Sequence, residues 1–296
     1  MTKNARSRAA LMYTRVVSGA LGVAMLVWGT GLVQAAPKAP PRPTLDLKAT
    51  AAQLQSGDQA AITTALTAMR GASQAAGPLV PAVERLLDRG APNPVAKLAI
   101  ETLADVGQTS SSASIAKYAR HRDVELRRTA VTALRRTRGP DAVSALKTAL
   151  SDSDNRVRSA AASGLGSLNA VEAMDDLFRA LDHKVLEAAA AIGQICKGDA
   201  CDKLVSRAGK LPLIVLTSGV DQLLFRSALD VPDDQKIKII GDIRELGTQE
   251  VHRYLTDVLG RWSPAGSPRV KAAIEQAANA TRNSPGDVKK EEGGSP

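Results

Sequence analysis

The chain has 296 residues, room for one or two domains, and only 2% of them are aromatic. Two Phe, three Tyr and two Trp are too few for a platform that stacks nucleobases, which argues against nucleic acid as a partner. The formal net charge of +9 overstates the basicity of the working chain, because four basic residues sit in an acid-free N-terminal leader.

That leader, residues 1–35, reads as a signal peptide. Lys3, Arg6, Arg8 and Arg15 come first, then an uncharged run from Val16 to Val33, then Val33-Gln34-Ala35 as a small-residue cleavage signal. The alternative is an uncleaved inner-membrane anchor, the one route by which a membrane would be a partner. The run is near the lower length limit for a span, and Gly19, Gly22, Gly29 and Gly31 weaken it as a helix. Cleavage after Ala35 removes four basic residues and leaves a net charge of +5. Either form places the rest outside the cytoplasm, periplasmic or secreted if cleaved.

Residues 36–44 form a proline-rich linker built on PKAPPRP, a semi-rigid spacer. Helical patterning then occupies residues 45–283. It predicts pairs at 45–55 and 58–70, 78–89 and 93–106, 112–120 and 123–138, 140–150 and 154–168, and 170–181 and 183–196. Gly-Pro at 77–78 and 139–140, and Gly90 with Pro92, punctuate the boundaries. After Cys201 the pattern loosens around Pro212 and Gly219, then resumes at 234–247, 248–260 and 267–281. The short run Leu213–Thr217 fits a strand or a buried turn of helix equally well. Residues 284–296 hold one apolar residue, Val288, and read as a disordered tail.

Three stretches repeat at an interval of 31 residues. Val95, Leu126 and Val157 align, as do Ala99, Ala130 and Ala161, and Leu103, Leu134 and Leu165. The i, i+4, i+8 spacing is one face of a helix, and a period of this length marks a helix pair that buries its apolar face only against its neighbours. The expected fold is all-α, a right-handed α-solenoid of stacked antiparallel helix pairs.

The residues inside the repeat resemble the HEAT-like family. The fullest copy is DNRVRSAAASGLGSL from Asp154, with Val157, Arg158, Ala161, Leu165 and Gly166 in the family's positions. DVELRRTAVTAL from Asp123 is a second copy, and NPVAKLAIETLADVG is a third with Ala96 in place of the arginine. Weaker echoes lie at 184–195, near Val270 and Lys271, and from Asp58. The resemblance implies that Asp123/Arg127 and Asp154/Arg158 form a structural ladder between repeats and that the second helices line the concave side. It also implies a scaffold or adaptor that binds protein partners without catalysis. Some HEAT-like families are linked to bilin attachment, for which the two cysteines here make no case.

The densest charge cluster, residues 120–138, places Arg128, Thr132, Arg135 and Arg136 opposite the apolar face of its helix. The 31-residue register maps these onto Ser159, Ser163, Gly166 and Ser167. An arginine strip beside a hydroxyl-rich floor, with Arg128, Arg135, Arg136, Ser159 and Ser163 as candidate contacts, suits an anionic ligand: an acidic segment, a phosphate, an anionic polymer or a membrane surface. The bland reading is a solvated face.

Cys196 and Cys201, in ICKGDAC, read as one disulfide in an oxidising compartment, with two free thiols or a weak metal site as alternatives. His121, His183 and His252 form no ligand spacing, Ser110–Ser112 is a capping turn, and the Gly164-Leu165-Gly166 turn belongs to the repeat. No catalytic residue, metal site or cofactor is therefore expected. Trp262 reads as core or end-cap material, with a partner anchor as the alternative.

Overall fold

A computed structural model describes residues 44–284. The signal-peptide and linker readings at the N-terminus, and all but the first residue of the tail, lie outside the described residues. Fifteen α-helices account for the described chain, with no strand among the described residues: α1 (Leu47–Gln55), α2 (Gln59–Gly71), α3 (Val80–Asp88), α4 (Asn93–Val106), α5 (Ser112–Tyr118), α6 (Val124–Thr137), α7 (Pro140–Ala149), α8 (Asn155–Ser167), α9 (Met174–Asp182), α10 (Ala188–Ile195), α11 (Asp199–Val205), α12 (Leu213–Leu224), α13 (Asp233–Arg244), α14 (Gln249–Arg261) and α15 (Pro268–Thr281). The fold is an all-α array of stacked helix pairs. No helix among the described residues is long and apolar enough to cross a membrane.

The 31-residue register is the core. Val95, Leu126 and Val157 are each 2% exposed or less, and the Ala and Leu triplets that follow them are fully buried. Asp123 caps α6 by accepting from the Glu125 and Leu126 N–H groups, and Asp154 does the same for α8 with Arg156 and Val157. Such caps satisfy N–H groups that have no partner within the helix. The even-numbered helices α2 to α12 pack in sequence, more extensively than their odd-numbered partners do.

Two small residues take that closeness furthest. A Cβ built on Gly193 of α10 would run into the carbonyl of Gly219 on α12, and one built on Gly219 would meet the Ala189 carbonyl and Leu204. Gly219 therefore does not interrupt the chain. It lies inside α12, which also settles Leu213–Thr217 as helix, with Pro212 at its N-cap.

Two boundaries differ from expectation. The helix predicted from residue 183 starts at Ala188, because α9 ends in a left-handed residue, Lys184, with the Val185 N–H reaching back to the Ala180 carbonyl. A helix missing from the expected set, α11, spans Cys201 at the start of the loosened region and is too short for periodicity to reveal.

Cys196 and Cys201 form a disulfide, both fully buried, with their Cα atoms 5.2 Å apart. It ties the C-cap of α10 to α11. Free thiols and a metal site are thus replaced by a covalent staple. By the chain-entropy model, a loop this short contributes about 2 kcal/mol. The double variant Cys196→Ala/Cys201→Ala is accordingly expected to lower the urea midpoint, and an unshifted midpoint would contradict this.

Candidate functional site

Helices α2, α4, α6 and α8 enclose a groove of about 330 Å3 whose charged lining is Arg70, Lys97, Arg128, Arg136 and Arg156 against Glu101 and Asp105. Thr129, Thr132, Ala133 and Ala160 keep its floor shallow. Arg70 donates from Nε to Asp105 at 2.7 Å and from Nη1 to Glu101 at 2.8 Å. Arg136 donates to the other oxygen of Asp105 at 2.6 Å, and Arg128 to Glu125 at 2.5 Å. The Asp105 carboxylate pushes the Arg70 guanidinium above its usual value. Lys97 and Arg156 have no ion-pair partner among the described residues, so the groove carries unspent positive charge.

The arginine strip expected from the sequence is divided. Arg128, Thr132 and Arg136 line this groove. Arg135, about 100° away from Arg136 around the helix, lines a second cavity with Ser163, Ser167, Gln194 and Ile214. Ser159 is half-buried on α8 and lines neither cavity. Gly166 is buried against Ala191 and Gln194 of α10, a helix contact and not a floor.

Arg70, Lys97 and Arg156 were absent from the expected set, although the register carried a signal for part of them. Arg70 pairs with Glu101, and Arg136 with Asp105, each across 31 residues. Opposite charges at one register position in adjacent repeats therefore face each other along the groove.

The ladder expected from Asp123/Arg127 and Asp154/Arg158 takes another form: Asp123 and Asp154 cap their helices, and the acid of the one full rung is Asp152. Arg127 forks onto Asp152 of the following turn at 2.8 and 2.9 Å, and its Nη1 donates to the carbonyls of His121 and Arg122. Arg158 makes the same backbone contacts one repeat later, to the Asp152 and Ser153 carbonyls at 2.7 and 3.0 Å. Asp123 also accepts from Asn93 of the preceding repeat at 2.9 Å.

The histidines are separate. His121 stacks on Tyr118, His183 lies in the turn after α9, and the His252 ring hydrogen-bonds to the Ala278 carbonyl at 2.8 Å. No metal-holding cluster of His, Cys, Asp or Glu occurs among the described residues. Trp262 is half-buried against Phe225, with ring centroids 5.6 Å apart, and Arg261 lies over Phe225. It belongs to the packing of the last helices.

Residues 112–192, from α5 into α10, match the HEAT repeats family. That segment carries HEAT-like repeats. No curated protein matches the chain. Among solved structures, the array is similar to a chain in the complex of CpcE and CpcF of phycocyanin lyase from Nostoc sp. PCC7120, at 17% identity over 84% of this chain and 99% of that chain, with a TM-score of 0.45. An engineered protein is similar at 18% identity over 81% and 69% of the two chains, with a TM-score of 0.46. A designed armadillo repeat protein in complex with the peptide (KR)4 is similar at 17% identity over 80% and 100%, with a TM-score of 0.40. HEAT repeats commonly mediate protein binding.

Proposed function

We propose that the chain is a non-enzymatic scaffold outside the cytoplasm that holds an acidic segment of a protein partner in the groove between α2, α4, α6 and α8. The observation that carries this reading is the imbalance of five cations over two acids, with Lys97 and Arg156 lacking an ion-pair partner among the described residues. Glu101 and Asp105, set among the cations, would repel a dense polyanion and accommodate a polypeptide whose carboxylates are spaced by neutral residues. The leader pattern and the Cys196–Cys201 disulfide support the location.

A fluorescein-labelled peptide of alternating Glu and Ser tests the reading by anisotropy. Binding is expected to weaken steeply as salt rises. The triple variant Lys97→Glu/Arg128→Glu/Arg156→Glu is expected to bind at least ~100-fold more weakly, at about 1 kcal/mol per reversed charge. Arg135→Glu, facing the other cavity, should change affinity less than ~2-fold. Unchanged affinity in the triple variant, or equal binding of a Lys/Ser peptide, would overturn the assignment.

A further inference from the structure

We infer that Arg158 is the receptor of a second, separate site, one that takes an oxyanion offering two oxygens, as a carboxylate or phosphate group does. The case rests on comparing two successive rungs of the ladder. At the first, four hydrogen bonds fix the Arg127 guanidinium: Nη1 on two backbone carbonyls, and Nε and Nη2 together on the Asp152 carboxylate. At the second, Nη1 of Arg158 is held on the two equivalent carbonyls, 31 residues further along. The guanidinium is thus set in the same way, and its remaining edge meets no carboxylate among the described residues.

The acids nearby are already engaged. The turn after α9 supplies His183 and Lys184 where the previous turn supplied Asp152. Asp182 is gripped by a fork from Arg207 at 3.0 and 2.9 Å. Asp176 accepts from both Lys147 and Arg179, and Asp152 is committed to Arg127.

Arg158 lines a cavity of about 500 Å3 together with Lys147, Arg179 and His183, and with the two acids Asp152 and Asp176 that are already paired. The volume is ample for a phosphate or a carboxylate side chain. Arginine forks match such groups in geometry as well as charge, and a guanidinium anchored by its own backbone contacts loses little rotamer freedom on binding. Lys147 and Arg179 add positive charge beyond what Asp176 neutralises. This cavity opens at the turns that join α7 to α8 and α9 to α10, so it is distinct from the groove on α2, α4, α6 and α8.

The test follows the Arg side-chain Nε–H signals of the full chain by NMR, with the Arg158 signal assigned by its loss in Arg158→Lys. Sodium phosphate and sodium acetate are titrated separately at constant ionic strength. A saturable shift of the Arg158 signal with either anion is the expected result, and the anion that saturates at lower concentration identifies the source. The variant His183→Asp brings a carboxylate into the cavity from within the chain and is expected to weaken binding at least tenfold. Two outcomes overturn the inference: no saturable shift with either anion, or equal binding by His183→Asp.

Discussion

Gly193→Ala is expected to cost about 3 kcal/mol or more, because the new methyl meets backbone and not a yielding side chain. Its Cβ would occupy the position of the Gly219 carbonyl on α12, with Gly219 in turn set against the Ala189 carbonyl. Neither helix can retreat alone. On one side α10 packs on α8, and Gly166 there already touches Ala191. A loss of that size lowers the melting temperature of a domain this large by roughly 6–12 °C. Gly241, also in a helix, has nothing within 4 Å of a built Cβ. Gly241→Ala should therefore stabilise by up to about 1 kcal/mol through helix propensity. Paired thermal melts read both effects, and a Gly193→Ala melt matching wild type would contradict the close approach of α10 and α12.

Asp152→Asn is expected to be the most damaging single change on the charged ladder. Arg127 and Asp152 have side chains only 15% and 10% exposed, and the acid also accepts from the Asp154 N–H at 2.9 Å. Removing the charge leaves a largely buried guanidinium facing a poor acceptor, a loss of about 2–3 kcal/mol, short of the full cost at a wholly buried pair. Burial alone pushes the Asp152 carboxyl up, but the Arg127 hydrogen bonds and the Asp154 N–H together hold it below the usual value. Its stabilising contribution is therefore complete above the unfolded carboxyl value near ~3.9 and is lost as pH falls through the folded one. Wild type and Asp152→Asn should differ fully at neutral pH and converge below about pH 4. Urea midpoints measured across that range check the sign. A gap that persists in acid would show that packing, not charge, holds the turn.

The sequence carried the core and much less of the site, for definite reasons. Helices α4, α6 and α8 were legible because apolar residues at one register position must all face one interior. Asp123 and Asp154 were legible as caps because a cap's partner lies two or three residues away. Helix α12 was hidden by Gly219, which in isolation resembles a breaker and in place permits two backbones to meet. The divided arginine strip has a different origin. A helical wheel fixes where a side chain leaves the backbone, but a long arginine goes where its partner draws it. Arg136 leans to Asp105 of the preceding repeat, while Arg135 lies toward α8 and α10. Arg70 and Arg156 enter the groove from helices on either side of α4 and α6, a relation that appears only once the stack is assembled.

Hydrogen–deuterium exchange of the full chain with and without the Glu/Ser peptide tests the central claim most directly. Protection gained on α4, α6 and the first half of α8, with α3, α5 and α7 unchanged, is the predicted footprint. Protection confined to α3, α5 and α7, or none at a peptide concentration that saturates the anisotropy signal, would contradict the groove on the even-numbered helices as the binding surface.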